Sequence, residues 1–599
     1  MIYHCEDHTC NYWDEGEKLP ERCPQCGRKL LRANEADMTG DDWTALGNTL
    51  WDAEASDKKR MVDCFRKAAY LGSAWGVCNL GICMEQGNGV EADPVQAFWL
   101  YQQAVEMGSL NAVCCLGVCY QYGIGTAPDA EKAAELYCKA AEYGSPRGQM
   151  LLARAFHDGI GVEADAAEAV HWVRAAAYQR YGEGMHRLGV CYAYGDGVEQ
   201  NWEHAVHWFR EAAESGVSVA MTDLGYCYEK GRGVEQSWEQ AFSWYRRGAE
   251  CGYPVSMSNL GLCYKRGYGV DQNWQEAIKW YEQGAQCGDL QSMHNLACCY
   301  EGGEGVEQNK DRAFYWYRRS AEGGNGSAMC NLGRCYKRGY GVEQNWQEAV
   351  KWYEQGAQCG NLQSMHNLAC CYEHGEGVEQ NMTEAIRWYT AAAEGGNADD
   401  MYELGWQYDH GEGVEQDMKK AICWYERAAK QNHPAAMNSL GECYAMGRGV
   451  PRDLETAMEW YRRAAELGEA MADYNMGWHL EQAGKLSEAY AHYRKAADGN
   501  DDSAWWALGR FYENGVVVAQ DGKEARRCYE TGEKLGSVKC KMRLARCKLL
   551  GIGGRREKKA GLDLCRQALE LAKESSEKED YGYEAEMNLL RRTIAENES

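Results

Sequence analysis

An apolar pair, Leu-Gly or Leu-Ala, recurs along the chain at a constant interval of 36 residues. The leucines of these pairs are Leu80, Leu116, Leu152, Leu188, Leu224, Leu260, Leu296, Leu332, Leu368, Leu404 and Leu440. Met476, Leu508 and Leu544 continue the series, and Leu46 stands in a degenerate first unit. A period of this length is typical of arrays in which each unit packs only on its neighbours. The sequence therefore predicts 15 repeat units within its 599 residues.

One unit, residues 254–288, illustrates the local structure expected of all of them. Apolar residues at helical spacing around Leu260 predict a first helix. The Gly-x-Gly-Val sequence that follows ends this helix, because glycine adopts positive φ without strain. Asn273 predicts the N-cap of a second helix, with Tyr281 on its buried face. One hairpin cannot bury both apolar faces alone, so the sequence predicts an all-α fold, a right-handed α-solenoid of about 15 helix hairpins.

Two segments of the chain are nearly identical. Residues 263–309 and 335–381 differ at four positions and lie two periods apart. This similarity indicates a recent duplication of a two-repeat block, which a solenoid tolerates because each unit contacts only its neighbours. The duplication shows how the array grew and does not by itself indicate a ligand.

The recurring sequence LGxCYxxGxGVEQNxxxAxxWYxxAAExG resembles the Sel1-like repeat family, a relative of the tetratricopeptide repeat with a longer loop. The resemblance covers about residues 41–560 and implies adaptor roles in the assembly of protein complexes. Two places depart from the pattern. Residues 46–79 lack Gly-x-Gly-Val, and LEQAGKLSEAY (480–490) has a shortened loop similar to a plain tetratricopeptide turn.

The charge of the chain disfavours several classes of partner. The 90 acidic and 64 basic residues give a formal net charge of −26, which repels nucleic-acid backbones and anionic membrane surfaces. The N-terminal sequence has neither the basic nor the apolar region of a signal peptide, and no apolar run is long enough to span a membrane. We therefore expect a cytoplasmic protein with no nucleic-acid or membrane partner.

Four cysteines near the N-terminus have the spacing of metal ligands, Cys-x4-Cys-x12-Cys-Pro-x-Cys. They are Cys5, Cys10, Cys23 and Cys26. The segment resembles a zinc ribbon or rubredoxin-like knuckle, and four thiolates suit a structural Zn²⁺ with no open catalytic position. Because x4 replaces the usual x2 in the first pair, His4 or His8 remains a candidate ligand in place of one cysteine. Two further interpretations of this segment are four ordinary thiols without a metal and an iron site with a redox role.

These patterns predict four segments. A zinc-bound β-hairpin module occupies residues 1–32, and a short linker follows at 33–40. The repeat solenoid occupies 41–560, and capping helices occupy 561–599. Beyond Gly554 the sequence predicts a long second helix and then a short amphipathic one, as the polar-faced end of a solenoid requires.

Ten cysteines occupy one repeat position, three residues after the leucine of the pair. They are Cys83, Cys119, Cys191, Cys227, Cys263, Cys299, Cys335, Cys371, Cys443 and Cys547. We expect them to be reduced and buried, because cysteine acts there as a small hydrophobic residue of the helix-packing face.

In related repeat folds the first helices line the inner surface, and the two residues before the leucine face inward. The residue directly before the leucine is Asn259, Asn295, Asn331 and Asn367 in four consecutive repeats. Further inward candidates are His294, His366, Tyr402 and Trp406, together with Lys265, Arg266, Lys337 and Arg338. Asparagine can pair with the amides of an extended peptide, and the Lys-Arg pairs can bind carboxylates. A second interpretation is that the asparagines only form hydrogen bonds between adjacent helices.

The sequence as a whole predicts a scaffold or adaptor, not an enzyme, that binds a protein or peptide in the concave groove of the solenoid. The competing hypotheses are a β-lactamase-like hydrolase, by family analogy, a metal redox protein, and a self-assembling structural protein. A catalytic group of residues would have to break the repeat pattern, and no such break is expected.

Overall fold

The computed structural model describes residues 2–5, 13–15, 30–33, 35–51, 55–578 and 584–598. The chain divides into two units, residues 1–309 and 310–599, and each is described by itself. Within each unit the described chain from residue 40 onward is a succession of antiparallel helix hairpins. The prediction of an all-α solenoid is therefore confirmed.

The helices of the first unit pair in sequence order, α1 with α2, α3 with α4, and so on. Their bounds are α1 Gly40–Thr49, α2 Ala55–Tyr70, α3 Ala74–Gln86, α4 Pro94–Glu106, α5 Leu110–Tyr122, α6 Ala130–Glu142, α7 Pro146–Asp158, α8 Ala166–Tyr178, α9 Gly182–Tyr194, α10 Trp202–Glu214, α11 Ser218–Lys230, α12 Trp238–Glu250, α13 Pro254–Arg266, α14 Trp274–Gln286 and α15 Leu290–Gly302.

The second unit continues the same alternation and ends with one additional helix. Its bounds are α16 Lys310–Glu322, α17 Gly326–Arg338, α18 Trp346–Gln358, α19 Leu362–His374, α20 Met382–Glu394, α21 Ala398–His410, α22 Met418–Lys430, α23 Pro434–Met446, α24 Leu454–Glu466, α25 Ala470–Gln482, α26 Leu486–Asp498, α27 Asp502–Asn514, α28 Gly522–Lys534, α29 Val538–Leu550, α30 Lys558–Lys578 and α31 Glu584–Glu598.

Three short strands precede the helices. The strands β1 Ile2–Cys5, β2 Trp13–Glu15 and β3 Leu30–Ala33 form an antiparallel sheet in the order β2-β1-β3. Cys10, Cys23 and Cys26 lie outside the described residues, and of Cys5 only the backbone is described. The zinc-bound module of residues 1–32 therefore stays a prediction.

The loop between α13 and α14 shows why two glycines are needed. Gly267 ends α13 at φ +73°, and its N–H donates to the carbonyl of Cys263. Gly269 has φ +69°, and a Cβ added there would lie 2.2 Å from the carbonyl oxygen of Trp238 in the preceding hairpin. The first glycine therefore ends the helix, and the second allows two hairpins to approach. Asn273 then caps α14, as predicted, by accepting backbone N–H groups at 3.1 Å.

Most hairpins are closed by an aromatic ring packed against a glycine of the first helix. A Cβ on Gly261 would lie 2.5 Å from the ring of Tyr281, which is fully buried. The same contact joins Gly81 to Tyr101, Gly117 to Tyr137, Gly225 to Tyr245, Gly333 to Tyr353, Gly405 to Tyr425, Gly441 to Tyr461 and Gly509 to Tyr529. The ten cysteines of the repeat position are all buried, which confirms the predicted burial, whereas their reduced state stays a prediction. Burial raises the pKa of the Cys263 thiol to about 12.

Two places near the end of the second unit differ from the standard repeat. The helix α25 ends at Gln482 and α26 begins at Leu486, which confirms the shortened turn. The helix α30 packs on α29 as the second helix of the last hairpin, so the boundary expected at 560 falls inside it. The helix α31 packs against both of them, with Arg543 Nη2 2.7 Å from Glu586 Oε1.

Two substitutions in one loop test the division of roles between its glycines. We expect Gly267→Ala to lower the apparent free energy of unfolding by about 1 to 2 kcal/mol, because alanine disfavours positive φ. Gly269→Ala has the same penalty and also places a methyl group against the backbone of Trp238, which adds about 1 to 3 kcal/mol. Urea unfolding followed by circular dichroism measures both. Equal losses for the two variants would contradict the close approach of the hairpins.

Candidate functional site

The first helices of successive hairpins expose a row of partly buried side chains. We call this row the first-helix face; it consists of the two residues before each repeat leucine and the second residue after it. Asn259 and Asn295 lie on this face in residues 1–309, and Asn331 and Asn367 lie on it in residues 310–599. All four are half-buried, so each unit carries two of the predicted asparagines at positions that solvent reaches.

The asparagine side chains reach the neighbouring first helix. In residues 1–309, Asn295 Nδ2 donates to Ser258 Oγ at 3.5 Å, and Asn295 Oδ1 accepts from Gln291 at 3.0 Å. In residues 310–599, Asn367 Nδ2 donates to Cys330 Sγ at 3.3 Å. The inter-helix bridging raised by the sequence is therefore present. Each bridge uses one of two amide hydrogens, so peptide binding by the asparagines stays a prediction.

The Lys-Arg pairs are less positive than the sequence indicated. Lys265 Nζ lies 3.2 Å from Glu304 Oε2, and Lys337 Nζ lies 3.4 Å from Glu376 Oε2. The lysine charges are therefore balanced within the chain. Arg266 and Arg338 are exposed at the ends of their helices and present the positive charge of these pairs to solvent.

The two predicted aromatic residues stack on histidines of the second unit. Tyr402 lies 4.9 Å from the ring of His433, and Trp406 lies 4.4 Å from the ring of His410. Both are half-buried. Their partly exposed rings offer apolar contact on the first-helix face of α21.

The predicted histidines each contact a cysteine one helical turn later. His294 Nε2 lies 3.6 Å from Cys298 Sγ, and His366 Nε2 lies 3.6 Å from Cys370 Sγ. His366 has a second partner, because its Nδ1 lies 2.7 Å from Oδ1 of the fully buried Asp400. The hydrogen bond to Asp400 raises the pKa of His366 to about 10.

Asp400 breaks the repeat pattern at a position that the sequence analysis did not single out. Asp400 lies four residues before Leu404, and from the Leu80 repeat onward every other unit has a small residue there. Those residues are Gly76, Ala112, Gly148, Gly184, Ala220, Ser256, Ser292, Ala328, Ser364, Ala436, Ala472, Ala504 and Cys540. Alignment of the repeats by this position would have identified the carboxylate from the sequence.

A cavity of about 370 Å³ opens among α7, α8 and α9 of the first unit. Its apolar lining includes Ala153, Val170 and Val173, and its charged lining includes Arg154, His157, Asp158, Arg187 and Asp196. Arg154 lies 3.4 Å from Asp158, and Arg187 lies 3.6 Å from Asp196. The sequence did not indicate this cavity, although Arg154 and Arg187 occupy first-helix-face positions. The sequence signal that could have indicated the cavity is the presence of two arginines at first-helix-face positions of neighbouring repeats.

The fold and the first-helix face define a helical-repeat solenoid. A model of the Sel1 repeat matches most of the chain. The matched residues are 76–109, 112–145, 146–181, 182–217, 218–253, 254–289, 290–325, 326–361, 362–397, 398–433, 434–469, 470–501, 504–537 and 538–573. The chain therefore belongs to the Sel1 repeat family. This solenoid is a fold typical of protein–protein interaction scaffolds, and the family is generally non-catalytic.

One solved structure agrees with this assignment. The chain is similar to c5321, a protective antigen present in uropathogenic Escherichia coli strains, with 31% identity and a TM-score of 0.51 over 75% of this chain and 97% of that one. It is also similar to a Sel1 repeat protein from Oxalobacter formigenes, with 30% identity and a TM-score of 0.38 over 41% of this chain and 96% of that one. No curated protein sequence matches the chain. Among the described helices, none carries an apolar run long enough to cross a bilayer.

Proposed function

We propose that the protein is a scaffold that binds a peptide segment of a partner protein along the first-helix face. The observation that carries this proposal is the cavity among α7, α8 and α9, where an apolar floor meets a charged rim. This combination is typical of the pockets that receive anchor side chains at protein interfaces.

The chemistry of the cavity indicates what it binds. Val170 and Val173 are buried, and they offer apolar contact to an aliphatic stem. Arg154 is exposed and Arg187 is partly exposed, and they are already paired with carboxylates at 3.4 and 3.6 Å. A carboxylate of the ligand can replace those partners without leaving a buried charge. The cavity therefore favours a ligand side chain with an apolar stem and an acidic end.

The asparagines extend the binding face in each unit. The bridge from Asn295 to Ser258 is 3.5 Å long and uses one amide hydrogen, so the second hydrogen is available to a peptide carbonyl. Asn367 offers the same group in the second unit. Arg266 and Arg338, both exposed, provide a further contact for acidic side chains. Because the overall charge is −26, these local positive groups are selective for acidic side chains of the ligand.

The ligand site is tested with a peptide selected from a displayed random library on the full chain, its affinity measured by fluorescence polarisation. Arg154→Gln with Arg187→Gln should weaken binding and flatten its salt dependence, because those contacts are screened. Asn259→Ala and Asn295→Ala should each raise the Kd about 2- to 12-fold, with little change in salt dependence.

Lys279→Gln provides the matched control, because it removes a positive charge from the exposed face of a second helix. This variant should bind at wild-type affinity. Wild-type affinity in all the first-helix-face variants would contradict the proposal, and weaker binding by Lys279→Gln would place the ligand on the second helices instead.

We further propose a structural Zn²⁺ held by Cys5, Cys10, Cys23 and Cys26. The register of the N-terminal sheet supports this site, because it pairs Cys5 with Leu30, which follows Cys26 by four residues. Four soft thiolate ligands fit tetrahedral Zn²⁺. The ion would staple a module of about 30 residues, which is too short for a substantial apolar core.

Elemental analysis tests the zinc site. Protein purified without added metal should contain about one Zn²⁺ per chain, because a closed thiolate site binds the ion tightly. Cys23→Ser with Cys26→Ser should remove the metal, whereas Cys251→Ser, at an exposed repeat cysteine, should retain it. Less than about half an equivalent of Zn²⁺ per chain, in wild-type protein never exposed to a chelator, would contradict the site.

The reduced cysteines support a cytoplasmic location. All 25 cysteines among the described residues are thiols. Cysteines persist in this form where the compartment is reducing. A scaffold of this kind, with many reduced cysteines in its core, suits the cytoplasm better than an oxidising environment.

A further inference from the structure

A thiol and an imidazole on the first-helix face of the second unit lie in line with a buried carboxylate. Cys370 Sγ is 3.6 Å from His366 Nε2, and His366 Nδ1 is 2.7 Å from Asp400 Oδ1. Cys370 is partly exposed, and Asp400 has no exposure. Because each ring nitrogen of His366 has its own partner, the imidazole is held in one orientation. This order of groups is the arrangement by which a base activates a nucleophile.

We propose that Cys370 is a reactive thiol that accepts an acyl group from an ester or thioester, with His366 transferring the proton and Asp400 positioning His366. This activity is independent of the cavity of the first unit. It uses residues of α19 and α21, whereas the cavity lies among α7, α8 and α9.

The buried carboxylate is the feature that sets this repeat apart. A buried carboxylate is costly unless a partner offsets its charge. Oδ1 of Asp400 has His366 as its partner, and Oδ2 has no hydrogen-bond partner among the described residues. The raised pKa of His366, about 10, keeps the ring cationic at neutral pH. A cationic imidazole beside a thiol stabilises the thiolate, which is the nucleophilic form.

The other polar groups at Cys370 belong to the general scaffold. Tyr389 OH lies 3.4 Å from Cys370 Sγ and donates to Glu373 at 2.6 Å. The same tyrosine–glutamate bond joins Tyr245 to Glu229 and Tyr529 to Glu513, where no histidine–cysteine pair is present. The tyrosine–glutamate contact therefore stabilises the hairpin, and the histidine and aspartate are what distinguish the surroundings of Cys370.

The duplicated block supplies an internal comparison. Cys298 lies 3.6 Å from His294 in the first unit, which is the distance between Cys370 and His366. The residue 72 positions before Asp400 is Ala328, so the earlier copy has no carboxylate in that register. Two cysteine–histidine pairs with the same separation therefore occur among the described residues, and Asp400 lies against the histidine of the later pair.

The chemical step needs no oxidant or reductant. The Cys370 thiolate attacks the carbonyl carbon and forms a sulfur–carbon bond. The bond between that carbon and the alcohol or thiol leaving group then breaks. The leaving group takes the proton held by His366 Nε2, and the product is an S-acyl cysteine. Asp400 takes no part in the proton transfer and acts only through His366.

The first test compares two cysteines in one wild-type molecule. The full chain is mixed with 4-nitrophenyl acetate, quenched at short times and digested, and acetylation of each cysteine is measured by mass spectrometry. Cys370 should be acetylated at least about 10-fold faster than Cys298, the low end of the usual benefit of a positioned base. Equal rates, or a faster reaction at Cys298, would overturn the proposal without reference to any variant.

The second test uses substitutions with a spectroscopic readout. Cys370→Ser should abolish the rapid release of nitrophenolate. Asp400→Asn should slow acetylation of Cys370 about 10-fold or more. His366→Gln should slow acetylation of Cys370 in the same way as Asp400→Asn. Adding free imidazole to His366→Gln protein should restore part of this rate. Cys298→Ser should leave the release unchanged.

A purely structural role for Asp400 predicts a different pattern. Folded Asp400→Asn protein that keeps the wild-type acetylation rate of Cys370 would overturn the role of the carboxylate. If Asp400→Asn melts early, His366→Gln decides, because imidazole restores chemistry and does not restore packing. Failure of imidazole to recover any rate in folded His366→Gln protein would also count against the proposal.

Discussion

The contact between a glycine of the first helix and an aromatic ring of the following helix, present in most hairpins, sets the geometry of the array. At Gly261 the ring of Tyr281 occupies the space that any side chain would fill. The ring is fully buried, and several of its counterparts also anchor their hydroxyl, as Tyr245 does on Glu229 at 2.8 Å. Because this contact fixes how the two helices of a hairpin cross, the positions that face outward from the first helix are fixed as well. The binding face therefore depends on it.

Much of the fold is predictable because it is periodic. The N-cap at Asn273, the helix stop at Gly267, the shortened turn after Gln482 and the buried cysteines all follow from residue type and spacing. The contact between Gly269 and the backbone of Trp238 is different, because it joins two hairpins and depends on how closely they stack. Spacing within one repeat indicates that glycine is needed there but does not indicate what approaches it.

The candidate site was predicted less completely, for a physical reason. Sequence positions identify which side chains lie on the first-helix face, and Asn295 and His366 do lie there. Their partners come from the next repeat, about one period away, and electrostatic pairing changes what each can do. Lys265 is balanced by Glu304, and His366 gains a buried carboxylate from Asp400. A histidine that looked like one of several peptide contacts is thereby distinguished from His294, although the sequence around the two is almost the same.

Thiol footprinting of the native protein tests the central claim, that one repeated set of positions forms the core, most directly. Brief alkylation followed by mass spectrometry should label the exposed Cys251, Cys287, Cys359 and Cys423, and it should leave the ten cysteines three residues after each leucine unmodified until denaturant is added. Burial both shields these thiols and raises their pKa, as it does for Cys191 to about 11. Labelling of Cys191, Cys263 or Cys443 at the rate of Cys251 in native protein would contradict the stacked-hairpin account.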